Sequence, residues 1–274
     1  MAYPPRKIGF ILASTDHGTL IVNRFDYHPG DPAGSFGVGH FLLESSVYEP
    51  EEGRVAMRLL SLRRTHFGDG VVAVDCGANI GVHTVEWAKG MTGWGAVVAI
   101  EAQERIYYAL AGNIAINNCF NALAVNAAVS SESGTMQVPN PNYFTPSSFG
   151  SLELRQRPNT EFIGQPIDYA ENTVLVRKMT LDELNLPRVD FIKIDIEGME
   201  MEALSGALET IKAHRPMLLI EKIKTDPRQL EQWLVENGYQ LMTLGINILA
   251  IHQSDACLKE INPPQGAGRH TQAA

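Results

Sequence analysis

The sequence predicts an α/β fold: a doubly wound, mostly parallel seven-stranded sheet with a C-terminal antiparallel hairpin, preceded by an N-terminal accessory segment. Three observations carry this. Two apolar runs, Val71-Val72-Ala73-Val74 and Val97-Val98-Ala99-Ile100, lack in-out alternation and each runs into an acid, Asp75 and Glu101; parallel strands covered on both faces read this way. From residue 71 such runs alternate with helical stretches, the pattern of right-handed crossovers. Near the end of the chain, the strands 239–244 and 248–252 are separated only by Gly245, Ile246 and Asn247, a link too short for a parallel crossover and suited to a hairpin.

Residues 1–65 form the accessory region. Ile8-Gly9-Phe10-Ile11-Leu12-Ala13 follows Arg6 and Lys7; it is short for the apolar part of a signal peptide and far short of a membrane span, so it reads as a first strand. A strand at 19–25, a turn at Asp31-Pro32-Ala33-Gly34 and a helix at 55–62 behind Tyr48-Glu49-Pro50 complete the region.

The core is expected over 66–255. Its first helix spans 81–89 with Gly90 as the stop, its second 103–118, and its third strand 122–129. The Pro- and Asn-rich stretch 139–172 interrupts the alternation and reads as an insertion serving as a lid or acceptor wall, with Phe144, Ser147, Phe149 and Arg155. Alternation resumes with a strand at 189–195, a helix at 197–214, a strand at 217–221, and a helix at 227–237 between an Asp226 cap and Gly238. The remainder, 256–274, is expected to be a flexible tail, with its Gly-, Gln- and Ala-rich part, 263–274, disordered.

A chain of 274 residues suits one main domain. The net charge of −9 gives no general attraction for phosphate backbones or anionic lipid, so nucleic acid and membrane are not expected partners. Three cysteines, Cys76, Cys119 and Cys257, are odd in number and far apart, which argues against a disulfide framework or thiolate metal site and for the cytoplasm.

The chemistry concentrates at the strand tips. Asp75 leads into Gly77-Ala78-Asn79-Ile80-Gly81, where glycines let a turn approach a ligand before a helix begins. A dinucleotide loop places a glycine where Asn79 stands. No Lys or Arg in or beside the loop meets a diphosphate, and Asp75 would repel one while attracting an ammonium. Glu101, 24 residues beyond Gly77, has the position of an acid that accepts both ribose hydroxyls, a feature common to NAD and S-adenosylmethionine sites. Asp75 and the terminal hairpin favour the sulfonium cofactor. The plainer alternative is that Asp75 and Glu101 are solvated strand ends.

At this point the chain resembles the FkbM family of S-adenosylmethionine-dependent methyltransferases. The resemblance lies in Val74-Asp75-Cys76-Gly77-Ala78-Asn79-Ile80-Gly81, Glu101, Asn126-Ala127-Ala128-Val129-Ser130, Thr180-Leu181-Asp182, Phe191-Ile192-Lys193-Ile194-Asp195-Ile196-Glu197-Gly198-Met199-Glu200 and Pro216-Met217-Leu218-Leu219-Ile220-Glu221. It implies that Gly77, Asn79 and Gly81, with Ala78 between them, wrap the methionine part of S-adenosyl-L-methionine, that Glu101 holds the ribose, and that Asn126 and Ala127 lie near the adenine. Asp75 would serve the amino group or the loop amides. His83 and Thr84, at the start of the first helix, are candidates for the cofactor carboxylate; an ordinary exposed helix position is the alternative for His83.

Catalysis is expected at Asp195 and Glu197, with Lys193 on the same face of the strand as Asp195. Asp195, at a central strand tip, is also expected near the cofactor. Lys193 either orients a carboxylate or the substrate, or snorkels past the sheet edge. Transfer to a hydroxyl needs a base or a metal: either Asp195 or Glu197 takes the proton, or Asp195 and Glu221 share a divalent cation. The sequence leaves the metal open. Glu200 reads as a helix-start acid.

The expected activity is O-methylation of a sugar, glycan or secondary metabolite, with a small-molecule or carbohydrate acceptor and homo-oligomerisation left open. A nicotinamide-dependent oxidoreductase and a non-catalytic binding module are the competing readings. Asn140-Pro141-Asn142-Tyr143 is similar to the N-P-P-Y motif of amino-group methyltransferases, but stands outside that motif's position, after the strand at 189–195.

Overall fold

A computed structural model describes residues 6–30 and 35–261. The turn expected at 31–34 and the disordered tail expected at 263–274 lie outside the described residues. The elements are β1 (Phe10–Thr15), β2 (Gly18–Asn23), α1 (Val38–Ser45), α2 (Pro50–Phe67), β3 (Val71–Cys76), α3 (Val82–Gly90), β4 (Gly95–Glu101), α4 (Glu104–Ile116), β5 (Ala122–Asn126), β6 (Ala128–Val129), β7 (Gly134–Pro139), β8 (Thr173–Met179), β9 (Phe191–Ile194), α5 (Glu200–Ser205), α6 (Leu208–His214), β10 (Met217–Glu221), α7 (Pro227–Glu236), β11 (Tyr239–Leu244), β12 (Asn247–His252) and α8 (Leu258–Ile261).

Seven strands form one sheet in the order β11-β12-β10-β9-β3-β4-β5. β12 runs antiparallel to both its neighbours, and the pairs from β10 through β5 are parallel. The fold class therefore matches the sequence expectation. The apolar runs are continuous because successive residues enter different cores: Ala73, Phe191 and Leu219 join one with Leu59, Leu60 and Trp87, while Val74, Ile192 and Ile220 join another with Leu204 and Leu234. Each such side chain contributes on the order of 1.5–3 kcal/mol on burial. Chain order reverses between β3 and β9, which leaves a crevice outside their carboxyl ends, at Asp75 and Asp195.

Several elements differ from expectation, each for a local reason. The strand expected over 122–129 divides: the Asn126 side chain donates to the Glu101 and Ala102 carbonyls and ends the main ladder, and β6 leaves to pair with β8. The helix expected over 197–214 is two. Gly206 lies against the Ser130 carbonyl, where a Cβ would overlap it, and the Asp182 carboxylate accepts from the Glu209 and Thr210 amides, starting α6 afresh. Gly90 is the last residue of α3 rather than the residue beyond it, tucked against Met57 of α2. The link between β11 and β12 has two residues, since Asn247 already pairs with Leu244.

Four elements are additional. β7 and β8 pair with each other and, through β6, form a separate three-stranded sheet; α1 packs beside β1 and β2; and α8, with Cys257 buried ahead of it, lies in the stretch from 256 expected as a flexible tail. The helix behind Pro50 extends to Phe67, well beyond the expected 55–62. The Asp226 cap is present, accepting from the Arg228 amide at 3.0 Å.

Candidate active site

The carboxyl edge of the sheet opens into a cavity of about 630 Å³, bounded by the loop after β3, the tips of β4, β9 and β10, α1 and the segment 148–161. That size suits a ligand of a few tens of atoms.

Gly77 has φ 79°, and a Cβ there would overlap the Asp195 carbonyl oxygen, so only glycine lets the loops after β3 and β9 pass this closely. The amides of Gly77 and Ala78 both donate to the Ile100 carbonyl at 3.0 Å. Asn79 adopts φ 51°, and its amide donates to Glu101 Oε2 at 3.0 Å. Glu101 Oε1 accepts from the Gln103 amide at 2.7 Å. Burial pushes the Glu101 carboxyl up to about 7, against these amides and with help from Asp75. Glu101 lines the cavity, and a carboxylate can accept more bonds than these amides supply.

Of the residues expected at the cofactor, Asp75, Gly77, Ala78, Asn79, His83, Glu101, Ala127 and Asp195 line the cavity. Gly81, Thr84 and Asn126 do not. Gly81 begins α3 with φ 85° and faces Leu110. Thr84, fully buried, gives its hydroxyl to Asp75 Oδ2 at 2.6 Å, so it orients the aspartate instead of reaching a ligand carboxylate. Asn126 is committed to backbone carbonyls. Ala127 stands among Ala102, Ala128, Leu154 and Met199, an apolar lining.

Three carboxylates converge across the loop. Asp195, Glu197 and Glu221 each place one oxygen within 4.8 Å of the others. Lys193 is 4% exposed and sits 2.7 Å from Asp195 Oδ2, so its ammonium faces a carboxylate instead of snorkelling past the sheet edge. Glu197 has φ 57°; Arg157 donates to its carbonyl at 3.3 Å and Lys224 lies 2.5 Å from its Oε2. Burial first, and the neighbouring Asp195 charge second, hold the Glu197 and Glu221 carboxyls well above the ordinary range. Glu200 starts α5, as expected, and is buried there, its Oε1 accepting from the Gly198 amide at 2.9 Å.

The accessory region supplies a further wall that the sequence did not reveal. Phe36, Val38, Phe41, Val47, Tyr48 and Glu49 line the cavity. His83 is buried, overturning the exposed alternative, and its Nε2 faces Glu49 Oε2 at 3.1 Å and Glu52 Oε1 at 3.5 Å. Burial opposes its protonation, but the Glu49 contact prevails and raises its pKa. The insertion contributes Ser148, Gly150, Ser151, Leu152, Leu154 and Glu161 rather than the four residues expected: Phe149 and Ser147 are fully buried, Phe144 points away, and Arg155 pairs with Glu202 at 2.5 Å. The 140–143 segment is also outside the lining, with the Tyr143 hydroxyl donating to Gln103 Oε1 at 3.2 Å.

Fold and strand-tip acids together are those of a doubly wound methyltransferase sheet. The chain belongs to the FkbM methyltransferase family: the methyltransferase FkbM domain matches residues 75–241, more than half of its length. No curated protein matches the chain as a relative. Among solved structures it is similar to an FkbM methyltransferase from Methylobacillus flagellatus, at 19% identity and TM-score 0.48 over 70% of this chain and 48% of that one. It is also similar to an O-methyltransferase from Bacillus cereus in complex with S-adenosylhomocysteine (15%, TM-score 0.43, 77% and 84% covered). A third is magnesium protoporphyrin IX methyltransferase from Synechocystis with bound S-adenosylmethionine (10%, TM-score 0.45, 80% and 86%). The chain spans about half the length of the Methylobacillus protein. Among the described residues, no helix is long and apolar enough to cross a membrane.

Proposed function

We propose that this protein transfers a methyl group from S-adenosylmethionine to a hydroxyl of a small molecule or carbohydrate. The observation that carries the reading is the facing of two acid sets across one cavity: Asp75 and Glu101 beside the glycine loop, and Asp195, Glu197 and Glu221 opposite. The first set suits an ammonium and a ribose and is hostile to a diphosphate; the lysines of the lining, Lys193 and Lys224, are already held by carboxylates. Ala102, Ala127, Ala128, Leu154 and Met199 offer an apolar slot for an adenine.

When bound, the sulfonium cofactor supplies a methyl group for in-line displacement at carbon. The chain's own groups do the rest. Lys193 fixes Asp195, and Asp195 takes the proton that the acceptor oxygen loses as its bond to carbon forms, with Glu197 or Glu221, whose carboxyls are held above the ordinary range, able to relay it once ionised. Phe36, Phe41, Tyr48 and Ile246 give the acceptor an aromatic and aliphatic wall, suited to the flat faces of a sugar or an apolar metabolite.

Calorimetry with S-adenosylhomocysteine should register binding by the folded protein, and absence of heat would remove the cofactor from the reading. In a screen of hydroxylated sugars and metabolites that follows cofactor turnover, Asp195→Asn should lower the rate by roughly 10²–10⁴-fold while retaining cofactor binding. An unchanged rate would strip Asp195 of its role.

A further inference from the structure

We propose that Asp195, Glu197 and Glu221 form a site for one hard divalent cation of the Mg²⁺, Mn²⁺ or Ca²⁺ class. The site shares the cavity of the proposed methyl transfer and deepens that reading. One oxygen from each residue already lies within 4.8 Å of the other two, and modest side-chain rotation brings such a set to the roughly 2.0–2.6 Å that these cations require, with water completing the shell. Two ligands stand at or just beyond the tips of neighbouring parallel strands, β9 and β10, so the backbone fixes their separation.

The second observation is independent of the clustering. Glu221 is 8% exposed, and its Oε2, buried in the cavity wall, has no hydrogen-bond donor among the described residues. The nearby cations do not supply one. Lys224 donates to the Ser151 carbonyl at 3.0 Å and lies in ion-pair contact with Glu161 Oε2 at 2.8 Å and Glu197 Oε2 at 2.5 Å. Lys193 is bound to Asp195 at 2.7 Å and leans toward Glu52 at 3.9 Å. The two ammonium groups are thus within ion-pair distance of Asp195, Glu197, Glu52 and Glu161, and neither is paired with Glu221. A buried carboxylate oxygen in that state is costly, and a cation between the three acids relieves it.

The donor set chooses the ion. All three ligands are carboxylates, with neither imidazole nor thiolate, which suits hard cations over Zn²⁺ or Cu²⁺. A rival cluster, Glu49, Glu52 and His83, is also compact and leaves Glu52 Oε1 and His83 Nδ1 without a hydrogen-bond partner among the described residues, but its imidazole already lies between the two acids, 3.1 Å from Glu49 and 3.5 Å from Glu52, and Asn247 donates to Glu52 Oε2 at 2.7 Å. An ion at Glu221 would touch the acceptor hydroxyl and lower its pKa.

The test is a titration of the full chain with Mn²⁺, followed by calorimetry and by loss of the free-ion paramagnetic resonance signal, with and without saturating S-adenosylhomocysteine. Wild-type protein should bind one Mn²⁺ at sub-millimolar concentration, displaceable by Mg²⁺ or Ca²⁺. Glu221→Gln should weaken binding at least tenfold with its circular dichroism unchanged, and Asp195→Asn, tested alongside in case the first variant fails to fold, should do the same. Glu49→Gln should leave binding in place. Absence of Mn²⁺ binding by protein that still binds S-adenosylhomocysteine overturns the site, as does binding lost in Glu49→Gln and retained in Glu221→Gln. Binding of Mn²⁺ by protein that ignores S-adenosylhomocysteine supports the cation site while sinking the cofactor reading.

Discussion

Glu101 is a glutamate whose surroundings make it titrate near neutrality. Its carboxyl stands at about 7 against an ordinary 4.5, raised chiefly by burial. A folded value above the unfolded one means that the ionised form is disfavoured on folding. Its contribution is therefore neutral below about 4.5, increasingly destabilising from there to about 7, and constant above. Ligand binding should run the other way, because two ribose hydroxyls need an ionised acceptor. Affinity for S-adenosylhomocysteine is expected to rise between pH 6 and 8, about tenfold at most per pH unit, and calorimetry across that range would reveal it. Glu101→Gln should flatten the dependence and weaken binding by roughly 1.5–3 kcal/mol, the worth of a hydrogen bond to a charged group. A pH profile identical in the variant would place the titration elsewhere.

Legibility at this scale followed chain position. Asp75, Gly77, Asn79 and Glu101 could be read because strand tips and the turn after them are local features. The Thr84 hydroxyl on Asp75 also had local warning, one turn into the following helix. Lys224, Glu161 and Glu49 gave none: each acts on residues that are dozens of positions away, and a charged residue in a loop reads the same whether paired or solvated.

Among elements, the accessory region and the insertion are coupled through Asp26. Its Oδ2 accepts from the Gly39 amide at 2.9 Å and its Oδ1 from the Phe149 amide at 3.0 Å, tying the first turn of α1 to the segment that begins the opposite wall. Burial raises this carboxyl to about 6 from 3.8, so it too becomes more costly as pH climbs through that window. Asp26→Ala strands two buried amides, each worth about 1–3 kcal/mol, and denaturant unfolding should register a loss of roughly 2–4 kcal/mol. A loss below about 0.5 kcal/mol would mean that the walls are held otherwise.

The elements least visible in the sequence are those whose bounds depend on distant partners. β8 has an alternating pattern, with Val174 and Val176 inward and Leu175 exposed, yet it follows an irregular stretch and pairs with strands that precede that stretch. The break between α5 and α6 rests on Asp182 and Ser130, which no helical periodicity encodes. The Asp226 cap, by contrast, bonds two and three residues ahead, and was legible.

At the scale of the whole molecule, a buried ion cluster gathers the base of the sheet. Arg63 of α2 contacts Asp190 at 3.0 Å and Asp255 at 2.6 Å, and Asp190 also accepts from the Val72 amide at 2.9 Å. Removing one member leaves uncompensated buried charge, so Arg63→Ala should cost about 3–5 kcal/mol, measurable by chemical denaturation; a neutral result would deny the cluster its structural role. Nothing in the sequence joined Arg63 to Asp255. The terminal hairpin was more accessible, because the short link at Gly245 and Ile246 forces an antiparallel return.

That return has a kinetic side. β12 lies between β10 and β11, so the later of the two hairpin strands, not the earlier, is the one that touches the parallel sheet. Until residue 252 has emerged during synthesis, β11 has no partner and β10 presents a bare row of amides and carbonyls, an edge that other chains can template upon. Nascent protein halted within the hairpin is therefore sticky, and its safety depends on how soon a single six-residue strand slides home.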